Sequence, residues 1–475
     1  MTVLALDQGT TSTRALVVDG DGSVRVLTSL THRQSYPRPG WVEHDPEELL
    51  ANLRACLDAA GADVDAVALA NQGESCLGWN AQTGEPVSPV IVWQDDRTEA
   101  VTAELRAAGA EAEVRRRAGL PLDPYFSATK LAWILRESDE ARRLAAAGLL
   151  RLGTTDSFFR DRLTGRFETD VTTASRTSLM NLRTGAWDEA LCRLFGVPID
   201  CLPAITASTG DLGEVVCGGR RVPLAASLVD QAASLYGHGC RVAGDTKITF
   251  GTGAFALTVV DAPPDTNETG GLLPTVAWRK RGEATAYALD GGVYCASSAV
   301  NWARGLGLFA DFSEIDGFDG PAAVDRGLVF VPALAGLACP QWDRRARGAW
   351  LGMSLDTGRR DLMQALVEGV ALRTAQAIAA IERHQPVAGV VSIDGGMSRN
   401  GYFCQFLSDV LGREVVVSAE PELTAVGAAT LAAEAVGAPI ARDRRGRSVS
   451  PRVGRPDRLD LFGAACAAVQ AFGSL

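Results

Sequence analysis

The chain has 475 residues, a net charge of −11 and 22% charged residues, and these values exclude several classes of protein. Its length exceeds the size at which single hydrophobic cores stop growing, so two domains are expected. The negative charge argues against nucleic acid as a partner. No apolar run is long enough for a membrane helix, and no apolar signal segment opens the chain. We therefore expect a cytoplasmic protein without a membrane partner.

Cysteine and histidine usage gives no sign of a metal site. The ten cysteines contain no Cys-x-x-Cys pair, and the four histidines stand far apart in the chain. We interpret the cysteines as small buried hydrophobic residues of an intracellular protein. A histidine metal site is not expected.

The first motif is a predicted β-hairpin at the start of the chain. The apolar run Val3–Leu6 is followed by Asp7-Gln8-Gly9-Thr10-Thr11-Ser12-Thr13-Arg14 and then by a second apolar run, Ala15–Val18. A turn with glycine and hydroxyl residues presents backbone N–H groups to an anion, and Asp7 offers a carboxylate for Mg²⁺. An ordinary edge hairpin explains the same residues equally well.

A second hairpin of the same kind favours the phosphate-binding interpretation. Thr246–Phe250 and Ala254–Val260 are strand-like runs, and they flank the turn Gly251-Thr252-Gly253. Two such hairpins half a chain apart are expected if two similar domains each bring one to a shared nucleotide. This arrangement is that of the actin and hexokinase class, so we predict an α/β fold with two actin-like (RNase H-like) domains around a cleft for ATP and substrate.

Polar residues follow predicted strands or precede predicted helices at several further points. Examples are Asn71–Ser75 after the buried run Val64–Leu69, and Asp230 before a helix of small residues. In α/β proteins such positions often contact a ligand. Helix capping is an adequate structural role for Asp230, but its place near the chain's midpoint, at the expected domain junction, favours chemistry.

Longer motifs make the resemblance specific. They are LALDQGTTSTRALV from Leu4, YPRPGWVEHDPEEL from Tyr36, VIVWQDDRT from Val90, DPYFSATKLAWIL from Asp123, VDQAASLYG from Val229, TFGTGAFAL from Thr249 and DGGMSRN from Asp394. In this order they resemble the FGGY family of carbohydrate kinases, with the glycerol kinase branch nearest. The resemblance spans about residues 3 to 437 and predicts an N-terminal domain over 1–234 and a C-terminal domain over 235–475.

The resemblance implies an ATP-dependent kinase that phosphorylates a hydroxyl of a small polyol or sugar, with Mg²⁺ beside Asp7. Asp230 would be the general base and Asp7 the second catalytic carboxylate. Family positions around the nucleotide correspond to Thr10, Thr11, Ser12, Arg14, Gly251, Thr252, Ser297, Asn301, Gly396 and Asn400, although Ser297 and Asn301 differ from glycerol kinases. Family positions around the polyol correspond to Gly73, Glu74, Trp93, Tyr125, Asp230, Gln231 and Phe255.

One departure concerns the substrate. Glycerol kinases carry an arginine at the position of Gly73, where it binds a terminal hydroxyl of glycerol. Its loss removes a charge-assisted hydrogen bond, worth about 1.5–3 kcal/mol, and is expected to open space as large as a long side chain. The substrate is therefore expected to be larger than glycerol, with four or five carbons.

Several alternatives stay open at this stage. Another kinase of the same fold, for a ketopentose or erythritol, shares all these motifs. A non-catalytic nucleotide switch of the actin or heat-shock-protein type would not need Asp230 or the polyol set. A nicotinamide-binding protein is disfavoured because no Gly-x-Gly-x-x-Gly follows the first strand. A homodimer or homotetramer is expected.

Overall fold

The computed structural model describes residues 1–61, 63–266, 268–440 and 446–474, and two large β-sheets organise it. The strands of the N-terminal half are β1 (Thr2–Gln8), β2 (Ser12–Asp19), β3 (Val24–Thr31), β4 (Glu43–His44), β5 (Ala66–Asn71), β6 (Cys76–Asn80), β7 (Val90–Ile91), β8 (Leu150–Thr154), β9 (Glu168–Asp170), β10 (Met180–Asn181), β11 (Ala186–Trp187), β12 (Ala204–Thr206), β13 (Glu214–Cys217) and β14 (Arg220–Val229). The helices of this half are α1 (Pro46–Ala59), α2 (Glu99–Ala107), α3 (Glu111–Ala118), α4 (Ser127–Glu137), α5 (Asp139–Ala146), α6 (Thr155–Thr164), α7 (Val171–Ala174), α8 (Glu189–Phe195) and α9 (Asp230–Gly237).

The C-terminal half repeats this mixture of strands and helices. Its strands are β15 (Thr246–Phe250), β16 (Ala254–Val260), β17 (Leu273–Trp278), β18 (Ala286–Val293), β19 (Val329–Val331), β20 (Ala349–Leu351), β21 (Val391–Gly395), β22 (Val415–Ser418) and β23 (Gly446–Val449). Its helices are α10 (Ser297–Gly305), α11 (Arg359–Glu382), α12 (Gly401–Leu411), α13 (Leu423–Ala435) and α14 (Arg458–Gly473). Short 3₁₀ turns occupy Ile199–Cys201, Phe312–Ile315, Val324–Arg326 and Gly396–Arg399.

The two large sheets share one plan. The N-terminal sheet has the order β13-β14-β5-β1-β2-β3, and the C-terminal sheet has the order β17-β18-β16-β15-β21-β22-β23. In each sheet, β1 with β2 or β15 with β16 forms an antiparallel hairpin. Two strands that come later in the chain run parallel to the first strand of that hairpin. The parallel strands are joined by crossovers that contain helices, as parallel pairing requires. This agrees with the predicted α/β fold of two similar domains.

Local sequence signals explain several element boundaries. Asp45 caps α1 by accepting a hydrogen bond from the Glu47 N–H, and Pro46 is the first helical residue. Both predicted Gly-Thr turns connect antiparallel strands at the expected residues. The sequence pattern from Thr98 to about Arg117 predicts one helix, and this prediction is wrong. Two helices, α2 and α3, cover this stretch, and Gly109 with φ +81° lies in the break between them.

Two crossing helices join the halves of the chain. Helix α13 packs against α9 and also against β1, β5 and β14 of the N-terminal sheet. Glycines set the distance between the helices, because a Cβ at Gly427 would lie 1.8 Å from the Ala233 carbonyl oxygen and one at Gly237 would lie 1.9 Å from the Leu423 carbonyl oxygen. The predicted domain division after residue 234 falls within α9 and remains a prediction.

The crossing generates a stability prediction. Gly427→Ala places a methyl group against backbone, which cannot rotate away, so the helices must separate. We expect the free energy of unfolding to fall by about 1–3 kcal/mol, measured by urea denaturation. Gly463→Ala is the matched control, since a Cβ there meets no atom within 4 Å. Equal stability of the two variants would contradict the close crossing.

Candidate active site

A cavity of ≈ 180 Å³ lies where the two hairpin turns meet the first turn of α9. Residues from both halves of the chain line it, and β5, β16 and α9 contribute the ends that face it. The cavity brings together the following residues named from the sequence: Thr10, Gly73, Glu74, Trp93, Tyr125, Asp230, Gln231, Thr252 and Phe255. The structure therefore assembles every residue of the expected polyol set in one place.

Glu74 is held in an unusual backbone conformation at this cavity. Its φ is +60°, in the left-handed region that non-glycine residues rarely adopt. Two contacts fix it there: the Ser127 hydroxyl donates to the Glu74 carbonyl oxygen at 2.8 Å, and Arg176 Nε donates to Glu74 Oε1 at 2.5 Å. Only 4% of Glu74 is exposed. The protein's own contacts thus fix the direction of the Glu74 carboxylate.

An aromatic wall connects the cavity to the first hairpin turn. The Trp93 indole N–H donates to the Thr10 hydroxyl at 3.0 Å, and the Trp93 ring meets the Tyr125 ring edge-on at 5.6 Å. Lys130 supports both residues by donating to their carbonyl oxygens. The expected phosphate turn and the expected polyol wall therefore form one connected unit.

Asp230 is the first residue of α9, and it does not act as its cap. The N-cap position belongs to Val229, and no side chain caps this helix. Burial, with the nearby carboxylates of Asp7 and Glu74, raises the pKa of Asp230 to about 7, while the Gln231 N–H and Lys247 act in the opposite direction. A carboxyl group with this pKa can take up and release a proton near neutral pH.

Gln231 is oriented by a buried lysine. Lys247 Nζ donates to Gln231 Oε1 at 2.7 Å and to the Thr249 hydroxyl at 3.0 Å. With its oxygen engaged, the Gln231 amide can offer N–H groups to the cavity. Sequence reasoning did not single out Lys247, which is fully buried in β15.

Asp7 and Arg14 form an ion pair beside the first turn. Arg14 Nη2 lies 3.0 Å from Asp7 Oδ2, and Arg14 Nη1 lies 2.7 Å from Glu422 Oε2 at the start of α13. Among the described residues no cluster of three or more His, Cys, Asp or Glu could hold a metal alone. A single carboxylate is nevertheless what Mg²⁺ requires when phosphates and water supply the other ligands, so Asp7 fits that role.

A second cavity, of ≈ 510 Å³, adjoins α10 and the 3₁₀ turn at Gly396. Ser297, Asn301, Gly396 and Asn400 all line it. Ser297 Oγ is buried without a hydrogen-bond partner, which suits a ligand contact.

Asn400 also has a structural role beside the second cavity. Its side chain caps α12 through the Phe403 N–H and donates to the Ile315 carbonyl oxygen. Four other residues expected at the nucleotide line neither cavity: Thr11, Ser12, Arg14 and Gly251.

The lining of the first cavity also includes residues to which the sequence assigned no role, among them Arg176, Val229 and Asp290. No residue type around Arg176 signals a ligand in the sequence. Val229 corrects one expectation. A Cβ at Gly73 would lie 2.7 Å from Val229 Cγ2, so valine occupies part of the space that the missing arginine side chain was expected to open.

Comparison with protein-family models identifies the family of the chain that forms these two cavities. The model described as the N-terminal domain of the FGGY family of carbohydrate kinases matches residues 2–237, and the C-terminal domain model matches residues 246–436. The chain belongs to the FGGY family of carbohydrate kinases. A glycerol kinase of Alkalilimnicola ehrlichii is 43% identical over 95% of this chain and 94% of its own length. Glycerol kinase 1 of Pseudomonas aeruginosa is 40% identical, with 90% and 89% covered.

Solved structures agree with this membership. Plasmodium falciparum glycerol kinase with ADP superposes with a TM-score of 0.90 at 28% identity, covering 99% of this chain and 98% of that one. Xylulose kinase of Rhodospirillum rubrum gives a TM-score of 0.86 at 26% identity with both chains fully covered. The predicted fold class is confirmed.

The family also settles the enzyme class. The chain is a kinase that uses ATP to phosphorylate a hydroxyl of a small polyol or sugar, as the sequence motifs predicted. No helix of the described residues is long and apolar enough to cross a membrane.

Proposed function

We propose that this kinase phosphorylates a neutral polyol or ketose of four or five carbons, with Asp230 as general base and Mg²⁺-bound ATP as the donor. The observation that supports this most directly is the shared cavity. Asp230, Glu74 and Gln231 from the N-terminal half face Thr252 and Phe255 from the C-terminal half across it. The relatives named above are called glycerol kinases, so glycerol is the competing substrate.

In the proposed mechanism, Asp230 accepts the proton of the attacking hydroxyl. Glu74 accepts hydrogen bonds from neighbouring hydroxyls, Gln231 donates one, and Phe255 with the Trp93 ring covers the C–H face of the substrate. Because these groups are already positioned, the hydroxyl is held where it can attack. Positioning of this kind supplies much of the rate in phosphoryl transfer.

The nucleotide is proposed to extend from the hairpin turns to the second cavity. ATP with Mg²⁺ supplies the transferable phosphoryl group and neutralises its charge. Asp7 would hold the metal, the Thr10 and Thr252 turns would face the phosphates, and Ser297 with Gly396 would receive the nucleoside part. The absence of a side chain at Gly396 allows close approach beside Ser297 Oγ, which lies 3.3 Å from the position of a Cβ there.

Arg14 is proposed to gain a phosphate oxygen as a further partner when the nucleotide binds. It already balances Asp7 and Glu422, and a third of its side chain is exposed. A guanidinium in this position can meet a phosphate oxygen without leaving Asp7. The expectations of a cytoplasmic location, a homodimer or homotetramer, and no nucleic-acid partner are retained as part of this proposal.

The preference for a longer substrate depends on Gly73. Without a guanidinium there, a terminal hydroxyl of glycerol loses a charge-assisted partner. The methyl group of Val229 replaces part of the lost volume with apolar surface, which offers a hydroxyl nothing in return. A short polyol is therefore bound less well, while a longer one can reach polar groups elsewhere in the cavity.

The catalytic role of Asp230 can be tested by substitution. Asp230→Asn keeps the side-chain shape and removes the proton acceptor, so we expect kcat to fall by about 10²–10⁴. ATP consumption across polyols and ketoses of three to six carbons measures this, with retained nucleotide binding as the folding control. A variant that keeps wild-type turnover would exclude Asp230 as the general base.

The pH dependence follows from the raised pKa of Asp230. A base works in its ionised form, so activity is present above the pKa and is lost as pH falls through it. We expect kcat/KM to be level above pH 7 and to fall by about tenfold per pH unit below it. A profile that stays level down to pH 5 would contradict the crowding of Asp230 by Asp7 and Glu74.

The substrate preference can be tested by restoring the arginine. Gly73→Arg alone is expected to clash with Val229, whereas the pair Gly73→Arg with Val229→Ala removes the methyl group in the way. In the double variant we expect kcat/KM for glycerol, divided by kcat/KM for a five-carbon polyol, to rise about tenfold or more. Val229→Ala alone is the control. A wild-type enzyme that clearly prefers glycerol would refute the longer substrate.

A further inference from the structure

A buried carboxylate lies in the middle of an apolar strand beside the active site. Asp290 belongs to β18, where its neighbours across the sheet are Leu257 and Leu273, and only 3% of it is exposed. Aspartate is disfavoured in strands, and burial of its charge is costly unless hydrogen bonds compensate. Its presence here calls for a partner.

Only one of the two Asp290 carboxylate oxygens has a partner in the protein. Asp290 Oδ2 lies 3.5 Å from Arg176 Nη1, a charge contact that is long for a hydrogen bond. Asp290 Oδ1 is buried and has no hydrogen-bond partner among the described residues. Buried polar atoms of native proteins are nearly always satisfied, and an exception inside a cavity indicates a ligand or water.

Asp290 lies between two connected spaces. It lines the cavity that holds Asp230, and it also lines an adjoining space of ≈ 50 Å³. Leu273, Tyr294 and Trp342 form the far side of this smaller space. The two spaces share Arg176 and Asp290, whereas Glu74 lines only the larger one, so the smaller space extends the polyol cavity on the side of Asp290.

Arg176 links the two acidic groups. Its Nε donates to Glu74, its Nη1 faces Asp290, and its guanidinium lies over the rings of Tyr125 and Phe126 at 5.7 and 5.6 Å. The order along the cavity is carboxylate, guanidinium, carboxylate. Acceptors and donors that alternate in this way match a row of hydroxyl groups on successive carbons.

We propose that Asp290, supported by Arg176, forms a distal hydroxyl subsite that selects neutral polyols or ketoses of four or five carbons. The inference rests on the proposed function, because it assumes that the reacting hydroxyl lies at Asp230. Asp290 Oδ1 accepts a hydrogen bond from a hydroxyl at the far end of the chain, and Tyr294 and Trp342 cover its carbons. The cavity is lined by three carboxylates and one guanidinium, so binding of a negatively charged sugar is disfavoured.

Two variants of Asp290 test the subsite by kcat/KM with glycerol, erythritol and xylitol. Asp290→Ala removes the acceptor, and we expect the xylitol to glycerol ratio to fall by roughly 10- to 100-fold, as for loss of a hydrogen bond to a charged group. Asp290→Glu keeps the charge, but its extra methylene takes up part of the ≈ 50 Å³ space. It is therefore expected to lower the xylitol to glycerol ratio of kcat/KM as well.

The control is a buried acid outside the cleft. Glu368 is 1% exposed and accepts hydrogen bonds from the N–H groups of Ala323 and Val324. Glu368→Gln is expected to lower stability without changing the ratio between substrates. The proposed subsite would be refuted if the Asp290 variants lowered kcat/KM equally for all three substrates. It would also be refuted if they left the xylitol to glycerol ratio of kcat/KM unchanged.

Binding without turnover separates this inference from the kinase proposal. In the Asp230→Asn background, calorimetric titration with xylitol measures affinity alone. Adding Asp290→Ala is expected to weaken xylitol binding by roughly tenfold or more and glycerol binding much less. A wild-type preference for glycerol would refute the longer substrate, yet the titration would still support or overturn Asp290 as a hydroxyl acceptor.

Discussion

The close crossing of α9 and α13 is the constraint on which the active site depends. Gly237 and Gly427 let the two helices touch backbone to backbone, and the apolar cluster around them includes residues of both large sheets. Since Asp230 is the first residue of α9, the same contact that joins the halves also sets the position of the proposed base. Wider helix spacing would move Asp230 relative to both hairpin turns.

The parts of the molecule that sequence predicted are those determined by local pattern. Both Gly-Thr hairpins follow from residues close together in the chain, where propensity and spacing act directly. The same reasoning missed the break at Gly109, because helical periodicity continues on both sides of a left-handed glycine. Family resemblance, and not periodicity, identified the residues around the cleft.

Long-range partners could not be predicted in this way. Arg176 and Glu74 are 102 residues apart in sequence, and neither the spacing nor the residue type of Arg176 links it to the cavity. Val229 likewise limits the space beside Gly73 only because β14 runs parallel to β5. A substitution at one position therefore says little about the shape of a site until the residues that pack against it are known.

Acidic crowding explains why the cleft can supply a base at neutral pH. An isolated aspartate is a weak proton acceptor, and burial beside Asp7 and Glu74 raises the pKa of Asp230 to about 7. Such crowding destabilises the folded protein unless cations offset it. Arg176 between Glu74 and Asp290, and Lys247 behind Gln231, provide that offset without contacting Asp230 through any hydrogen bond in the structure. The charges that stabilise the cleft thus leave its base free to act, and they also leave Asp290 with one oxygen unsatisfied.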